Sequence, residues 1–406
     1  MCPNVEWENP YRPGAGHMPP HLAGREKEFE EFERLLGQET ILENLVLTGL
    51  RGVGKTVLLE SFKPKAIQAG WLWVGADLSE SASISEANIA MRLMTDLSVA
   101  TSAFSTEIPT SAPVGFTTDE APTQQVSLSY AVLNTVFNET AGLISDKLKG
   151  VLEFVYAILS QHSRSRIIFA YDEAQNLSDH ADKEQFPLSL LLDVFQSIQR
   201  KGIPFMLVLT GLPTLFPKLV DARTFAERMF RVVTLGRLDE TESREAIVKP
   251  IDVAKCPVRF NEVSVETISH QSGGYPYFIQ FICREVFDVF IQQIEEETTP
   301  SVPVDAIQQK LDTDFFAGRW AKVTDRQREL LWVIASLVRE NDEFTIQEIT
   351  ERSKEFLPKG FGASHVSQML GKLAEQGLIY KNRFGKYSFA VPLLGDFIVR
   401  TFEPST

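Results

Sequence analysis

The chain has 406 residues, of which 44% are hydrophobic and 23% charged, and this composition is ordinary for a globular protein of roughly two or three domains. No apolar run approaches the roughly 20 residues that a membrane-spanning helix needs, and the first residues lack the order of a signal peptide. We therefore expect a cytoplasmic protein with no membrane partner. The three scattered cysteines fit neither a metal site nor a disulfide framework.

The net charge of −14 is unevenly distributed along the chain. Residues 321–406 carry 12 Lys and Arg against 11 Asp and Glu, so their net charge is +1 and residues 1–320 carry −15. The C-terminal part is electrostatically distinct, and it permits contact with a DNA backbone without attracting one strongly.

The chain begins with an irregular segment and then a predicted helix. Residues 7–21 are rich in proline and glycine, which predicts an irregular lead-in, and Gly24-Arg25-Glu26 opens the helix. The apolar residues that recur at helical spacing are Phe29, Phe32, Leu35 and Leu36.

A complete GxxxxGKT motif lies between a predicted strand at residues 45–47 and a helix-forming stretch. The motif and the residue after it are Gly49, Leu50, Arg51, Gly52, Val53, Gly54, Lys55, Thr56 and Val57. Glycines let the backbone wrap a phosphate group, and the N-terminus of the following helix favours negative charge, so we predict a nucleoside-triphosphate site. Lys55 would contact the β- and γ-phosphates, and the Thr56 hydroxyl would bind Mg²⁺.

Two further segments precede the next motif. Residues 71–76 form a second apolar run, which predicts a buried strand. Residues 101–129 are rich in Thr, Ser, Pro and Ala, and they offer too few apolar side chains to offset their ordering entropy. We therefore predict an insertion or mobile loop there.

The third predicted strand, residues 167–171, ends in two carboxylates, Asp172 and Glu173. Dense apolar residues favour a parallel strand buried on both faces, and open α/β sheets bind ligands at the carboxyl ends of such strands. Asp172 would hold Mg²⁺, and Glu173 would orient and deprotonate the attacking water. Read alone, the pair is more often a helix cap or turn, but the upstream phosphate loop favours the catalytic interpretation.

The next apolar run, residues 204–211, places Thr210 where a neighbouring strand would end. Thr210 could contact the γ-phosphate or the attacking water. The alternative is a threonine that merely closes a strand before the turn at Gly211.

These motifs together resemble an AAA+ ATPase of the Orc/Cdc6-like group, close to the archaeal-type and STAND ATPases, over roughly residues 9 to 295. The resemblance rests on Gly24-Arg25-Glu26, on the motifs at 49–56, 167–173 and 207–211, and on Gly273-Gly274-Tyr275-Pro276. It implies an α/β fold with an AAA+ P-loop parallel-sheet core and an all-α lid domain. It also implies Walker A roles for Lys55 and Thr56, Walker B roles for Asp172 and Glu173, and the sensor 1 position for Thr210.

The resemblance further implies that the segment before Arg25 lines the adenine pocket, with main-chain contacts near Leu22 and Ala23. No side chain there distinguishes ATP from GTP. The turn before Pro276 resembles the GxP turn of the STAND class, and residues 272–278 contain no arginine, so a sensor 2 arginine is not expected.

An arginine finger is the remaining catalytic element that assembling members of the group supply in trans. Arg228, just before the predicted strand at residues 232–235, is at the appropriate place, with Arg223 and Arg231 as competitors. A plain surface arginine is an equally good interpretation.

The resulting domain prediction has five parts. Residues 1–21 form the lead-in, 22–236 the ATPase core, 237–300 the helical lid, 301–320 a linker and 321–406 a winged-helix domain. In the lid, the apolar stripe that would bury against neighbouring helices consists of Phe278, Phe281, Ile282, Val286 and Phe290.

Residues 321–406 show three predicted helices and then two predicted strands, which is the order of a helix-turn-helix with a hairpin. If the domain reads DNA, the residues that would enter the major groove are His365, Gln368 and Lys372, and those that would grip phosphates or the minor groove are Lys381, Arg383 and Lys386. The alternative is a protein-interaction module, because the domain is barely basic.

We therefore predict an ATP-binding and ATP-hydrolysing AAA+ switch that couples nucleotide state to DNA association in replication, transposition, mobile-element or defence systems. The alternative is a STAND-like signalling ATPase whose winged helix binds a protein. The expected ligands are ATP, ADP and Mg²⁺, and the alternatives for a macromolecular partner are double-stranded DNA, further copies of the chain or another protein.

Overall fold

The computed structural model describes residues 7–14, 16–109, 123–254, 256–337, 343–383 and 385–403. The chain divides into two compact units. We call residues 26–48 and 58–234 the sheet unit, and residues 1–25, 49–57 and 235–406 the helical unit.

Nine strands and seventeen α-helices are assigned within the described residues. The strands are β1 Asn44–Gly49, β2 Leu72–Val74, β3 Ser105–Pro109, β4 Thr123–Ser127, β5 Ile167–Tyr171, β6 Phe205–Gly211, β7 Phe230–Leu235, β8 Ile379–Arg383 and β9 Lys386–Phe389. The first eight helices are α1 Glu26–Leu36, α2 Lys55–Gln68, α3 Glu86–Thr101, α4 Tyr130–Glu139, α5 Ile144–Gln161, α6 Pro187–Arg200, α7 Leu215–Ala222 and α8 Ala226–Met229. The others are α9 Glu240–Ala254, α10 Glu262–Ser272, α11 Pro276–Glu295, α12 Val304–Leu311, α13 Gly318–Trp320, α14 Asp325–Leu337, α15 Ile346–Phe356, α16 Ala363–Glu375 and α17 Leu394–Thr401.

The sheet unit is built on a five-stranded sheet with the order β2-β5-β6-β1-β7. β2 pairs with β5, β5 with β6, and β6 with β1, all in parallel. Every residue of β5 and β6 is buried, as their continuous apolar sequences predict for strands covered on both faces. The predicted parallel-sheet core is thus confirmed.

The predicted second strand is shorter and more exposed than its sequence suggests. β2 has three residues, lies at the edge of the sheet, and leaves Leu72 and Trp73 only partly buried. It ends before Gly75, whose φ is +150° and where an added Cβ would lie 1.7 Å from the Ala170 carbonyl oxygen. Only glycine allows this close approach between the two backbones.

Residues 101–129, predicted as an insertion or mobile loop, contain regular secondary structure at both ends, so the loop alternative does not hold there, and the insertion stays a prediction. β3 and β4 form an antiparallel pair in which Ser105 is opposite Ser127. A strand pair satisfies its backbone groups by ladder hydrogen bonds whatever its side chains, so a polar composition does not prevent it. Residues 110–122 lie outside the described part of the chain.

The helical unit contains the predicted lid and the C-terminal elements. Helices α9 to α11 lie in the segment predicted as the lid, and α11 buries four of the five predicted stripe residues, leaving Phe281 partly buried. The segment 301–320, predicted as a linker, is helical from Val304 and buries Ile307, Leu311 and Phe316 in the core of this unit. Apolar residues at a helical spacing explain why this segment packs.

The three helices and two strands predicted within residues 321–406 are all present. They are α14, α15, α16 and the antiparallel pair of β8 and β9. A further helix, α17, follows the strands and buries Leu394, Phe397 and Ile398, and the sequence analysis does not predict it. Classification of these elements as a winged helix stays a prediction, as do the domain boundaries.

Among the described residues, no helix is both long and apolar enough to cross a bilayer.

Candidate functional site

The glycine-rich loop has the backbone conformation that its sequence predicts. Gly52 and Gly54 lie in the left-handed region, with φ of +81° and +90°, and α2 begins at Lys55. The Lys55 ammonium donates hydrogen bonds to the carbonyl oxygens of Gly49 (3.0 Å) and Leu50 (2.9 Å). The lysine is therefore folded back over the loop that precedes it.

Other groups of the helical unit hold the same loop by its carbonyl oxygens. The Tyr277 amide donates to the Gly52 oxygen (3.0 Å), and the Arg25 guanidinium donates to Val53 (3.0 Å) and Gly236 (3.1 Å). The Arg51 guanidinium makes a longer contact with the Gly377 oxygen, at 3.5 Å. Hydrogen bonds therefore hold the loop at the carbonyl oxygens of Gly52 and Val53, whereas a phosphate cradle binds its anion through N–H groups.

Arg25 is a site residue whose role the sequence analysis misses. Its side chain is buried, and the residues that it joins are 28 and 211 positions away in sequence. The motif Gly24-Arg25-Glu26 marks a helix start, but nothing in it signals a contact with the phosphate loop. Fully ionised arginine is suited to such a position because its fork of donors can satisfy two carbonyls at once.

The predicted adenine-pocket residues lie in the same unit as the loop. Ala23 is buried and Leu22 is partly buried. Pro276 occupies the first turn of α11, and the amide of the next residue is the one that contacts Gly52. The structure thus brings the GxP turn to the phosphate loop, while base recognition by Leu22 and Ala23 stays a prediction.

The two carboxylates of the second motif follow β5 in the sheet unit. Asp172 is 4% exposed, and its carboxylate accepts a hydrogen bond from the Glu173 amide (2.8 Å). Glu173 has a φ of +53°, which is uncommon for a residue with a side chain and is found at functional sites where strain is tolerated.

Gln175 is a second residue that the sequence analysis misses. Its side-chain amide donates to the Glu173 carboxylate and accepts from the Leu212 amide (3.1 Å). The main-chain carbonyl oxygen of Gln175 accepts a hydrogen bond from the Lys218 ammonium (2.7 Å). Burial lowers the pKa of Lys218, because desolvation disfavours the charged form. Gln175 therefore ties Glu173 to the turn after β6.

Thr210, the predicted sensor residue, is fully buried in β6. Its hydroxyl has no hydrogen-bond partner among the described residues, and the same is true of Thr48 near the end of β1. The two strands are neighbours, with Leu47 opposite Thr210 and Thr48 opposite Gly211. Two unpaired buried hydroxyls therefore lie near the carboxyl edge of the sheet, where a polar ligand would give them partners.

The three candidate finger arginines differ in their contacts. Arg223 makes two hydrogen bonds to the Asp193 carboxylate (2.8 and 2.7 Å), and Arg231 makes two to Glu31 (3.1 and 2.9 Å). Arg228 is exposed on α8 and has no hydrogen bond or ion pair from its side chain to any described residue. Of the three, Arg228 has the guanidinium that remains available to another molecule.

The candidate DNA contacts lie in the C-terminal elements. His365, Gln368 and Lys372 are exposed along one side of α16, whose other side buries Val366, Met369, Leu370 and Leu373. Lys381 is exposed in β8, and Arg383 is opposite Lys386 in the hairpin. The arrangement places the three α16 side chains on one helical face, as predicted.

A magnesium site would need few protein ligands here. Within the part of the chain that the structure describes, no three His, Cys, Asp or Glu side chains cluster as a metal site. Mg²⁺ usually keeps several waters and takes one or two protein oxygens besides the phosphates, so one carboxylate and one hydroxyl suffice.

Comparisons with known proteins agree with this geometry. Residues 43–219 match a family model described as an AAA domain, and residues 313–398 match one described as a domain of unknown function (DUF8462). A comparison with curated proteins found no match.

Solved structures share the fold over almost the whole chain. A Walker-type ATPase of Pyrococcus abyssi is 16% identical, with 93% of this chain and 96% of that chain covered and a TM-score of 0.56. The ADP form of the Aeropyrum pernix ORC2 protein is 14% identical, with 96% and 97% covered and a TM-score of 0.54. The ADPNP-ADP complexes of the same protein are 13% identical, with 96% of this chain and 95% of that chain covered and a TM-score of 0.52. The chain therefore shares the fold of these structures, and its residues 43–219 match the AAA domain within that fold.

Proposed function

We propose that the chain is an ATP-driven switch whose C-terminal elements transmit the nucleotide state to a partner, and the starting point is the match of residues 43–219 to the family model described as an AAA domain. The coarse activity, that of an ATPase, follows from the family. The roles of individual residues, the partner and a cytoplasmic location are the proposal.

The observation that carries the proposal is the order of strands at one edge of the sheet. β1, β6 and β5 are adjacent and parallel, with Thr48 opposite Gly211 and Leu209 opposite Tyr171. The carboxyl ends of the three strands therefore lie at the same edge of the sheet. The phosphate loop follows β1, the turn at Gly211 follows Thr210 in β6, and the acidic pair follows β5. Ligands of open α/β sheets bind at such an edge.

The residues present fit ATP with Mg²⁺. The loop from Gly49 to Val57 is fixed by its carbonyls and would offer its N–H groups to the phosphates, with Lys55 as the cation. Thr56 and Asp172 would hold Mg²⁺, which when bound neutralises phosphate charge. Main-chain groups at Leu22 and Ala23, together with Pro276, would enclose the base.

The reaction would be in-line displacement at the γ-phosphate by water. Glu173, held by Gln175, would accept the proton of the attacking water, while Thr210 would orient the water or the γ-phosphate. The new bond joins water oxygen to phosphorus, and the bond to the bridging oxygen of ADP breaks. Arg228 of another copy would stabilise the charge that develops in an assembled state.

The structures of the Aeropyrum pernix ORC2 protein comprise an ADP form and ADPNP-ADP complexes. These ligands belong to the neighbouring protein, and they support the proposal that the present chain binds adenine nucleotides at the corresponding loop.

The proposed nucleotide site is tested by titrating the full chain with Mg-ATP in a calorimeter and by measuring phosphate release. Lys55→Ala should abolish binding or turnover, because the phosphates lose their cation. A matched control is Lys63→Ala, which removes an exposed lysine from the same helix and should change neither quantity. Unchanged binding and turnover in Lys55→Ala would refute the site.

For the partner, we propose double-stranded DNA bound by residues 321–406 acting as a winged helix. The support is the exposed face of α16 with His365, Gln368 and Lys372 and the hairpin with Lys381, Arg383 and Lys386. The competing proposal, a protein partner, is favoured by the net charge of only +1 in this segment.

Fluorescence anisotropy with labelled duplex DNA at two salt concentrations distinguishes the DNA proposal from the protein-partner proposal. DNA binding should weaken as salt rises, because binding releases counterions from the phosphates. Lys372→Ala should weaken it further, whereas Lys27→Ala, an exposed lysine of α1, should not. Absence of salt-dependent binding, with and without ATP, would favour the protein partner.

A further inference from the structure

A second candidate ligand site lies entirely within the helical unit. It is a cavity of about 930 Å³ whose walls come from Arg237 before α9, the end of α10, helix α12 and the segment after it, and helices α14, α15 and α17. None of its lining residues belongs to the phosphate loop. Small-molecule pockets typically measure about 300–1,000 Å³, so this cavity is large enough for a ligand of substantial size.

The ionisable side chains of the cavity are mostly basic, although the whole chain carries −14. The basic ones are Arg237, His270, Arg352 and Arg400, and the one acidic residue is Asp396. Arg400 is already paired with Asp312 at 2.7 Å. The side chains of Arg237 and His270, in contrast, have no hydrogen bond or ion pair with any described residue, so they can receive an anion.

Arg352 contributes a further donor to the cavity. Its Nη1 donates to Glu355 at 2.8 Å, and its guanidinium carbon lies 4.1 Å from the centroid of the Phe356 ring. Its Nε is buried without a hydrogen-bond partner among the described residues. Buried donors are normally paired, so this N–H is suited to an acceptor supplied by a ligand.

Aromatic side chains form another part of the wall. Trp332 and Phe356 pack edge to face, with ring centroids 5.6 Å apart, and Trp332 is only partly buried. Inorganic phosphate gains little from such a wall, whereas a planar base can stack on it. The Asp396 carboxylate would repel a phosphate, but it can accept hydrogen bonds from a ribose hydroxyl or from an amino group of a base.

We propose that this cavity binds a small nucleotide, of mononucleotide or dinucleotide size. Its phosphate contacts Arg237 and His270, its base packs against Trp332 and Phe356, and Asp396 accepts from its sugar or base. The site is separate from the phosphate loop and does not depend on the loop's binding of ATP. Its walls come from both the lid and the C-terminal elements, so occupancy would add contacts between these two sets of helices.

Calorimetric titration of the full chain with AMP, the linear dinucleotide pApA and inorganic phosphate tests the proposal. AMP or pApA should bind to the wild type and equally to Lys55→Ala, which disables the phosphate loop. Arg237→Ala should weaken this binding by at least about tenfold, because charge-assisted hydrogen bonds are lost. The matched control, Arg284→Ala, changes an exposed arginine outside the cavity and should leave binding unchanged.

Three results would overturn the proposal. The first is that neither nucleotide binds to the wild type. The second is that nucleotide binding is lost in Lys55→Ala but kept in Arg237→Ala. The third is that inorganic phosphate binds as tightly as the nucleotides. Photocrosslinking of the wild type with 8-azido-AMP decides the matter even if a variant misfolds. Labelled peptides should come from α14, α15 or α17, and labelling confined to residues 49–57 would contradict the cavity site.

Discussion

Glu173 combines an unusual backbone conformation with the role of proposed base. A φ of +53° costs a residue with a side chain of the order of 1–3 kcal/mol, and that cost persists only where neighbouring contacts impose it. The contacts here are the Asp172 carboxylate, which accepts from the Glu173 amide, and the side chain of Gln175. Together they fix where the Glu173 carboxylate can lie.

Replacing Glu173 with glutamine should separate ATP binding from hydrolysis. The amide keeps the shape of the side chain but cannot accept the proton of water, so turnover should fall by about 100-fold to 10,000-fold. Calorimetry should show ATP affinity within threefold of the wild type. A phosphate-release rate equal to that of the wild type would remove Glu173 from the mechanism.

Gln175 should act as a positioning residue for Glu173. In Gln175→Ala the carboxylate loses its side-chain partner, and we expect kcat to fall by about tenfold with little change in KM, since the lost contact is of the order of 1.4 kcal/mol. Gln161→Ala, at the exposed end of α5, is the matched control and should leave kcat unchanged. An equal rise of KM with constant kcat would instead indicate a role in substrate binding.

At the scale of elements, the ends of the adjacent strands β1 and β6 contain hydroxyl groups for which the sheet supplies no hydrogen-bond partner. Thr48 and Thr210 have buried hydroxyls without partners among the described residues. An unsatisfied buried hydroxyl costs about 1–3 kcal/mol, so these strand ends lower the stability of the sheet in the absence of a ligand.

Valine at either position tests this inference, because it replaces the hydroxyl with a methyl group of similar shape. Without nucleotide, Thr48→Val and Thr210→Val should each raise the free energy of unfolding by about 1 kcal/mol in urea titrations. Thr210→Val should also slow hydrolysis. If both variants were instead destabilised by more than about 1 kcal/mol, the hydroxyls would have to be paired in the folded protein.

The elements that the sequence predicts well are those whose own residues determine them. β5 and β6 follow from continuous apolar runs, and α15 from the capping pair Thr345 and Glu348. β3 and β4 were not predictable from apolar content, because backbone pairing holds them together. Helix α17 does contain a usable signal, since Leu394, Phe397 and Ile398 recur at helical spacing.

The candidate site was predictable at its motifs but not at the residues that support them. The loop and the acidic pair each follow a strand and Thr210 lies near the end of one, so pattern and spacing identify them. Arg25 and Gln175 instead contact main-chain groups that are distant in sequence, at Val53 and Gly236 and at Leu212, and no local sequence pattern predicts such contacts.

At the scale of the whole molecule, the proposed finger role of Arg228 predicts that activity depends on assembly. Arg223 and Arg231 are held by carboxylates of their own chain, whereas Arg228 has no such contact among the described residues. A finger supplied in trans can raise kcat by about 1,000-fold or more, so turnover per chain should rise with protein concentration.

Arg228→Ala should abolish that rise while leaving the basal rate at low concentration unchanged. The measurement is phosphate release across a dilution series, with the oligomeric state followed by light scattering. Arg164→Ala, an exposed arginine of the sheet unit without a side-chain contact to any described residue, is the control. A monomer at all concentrations with full activity would make Arg228 a surface residue only.

The contacts of Arg25 and Tyr277 have a practical consequence for anyone who shortens this protein. Both residues lie outside the segment 43–219, yet their donors occupy the carbonyls of Val53 and Gly52 within it. A fragment trimmed to that segment would retain the glycine-rich loop, the acidic pair and Thr210, but it would lose two of the hydrogen bonds that hold the loop. Weak nucleotide affinity in such a fragment would reflect the cut, and the intact polypeptide is the appropriate material for measuring it.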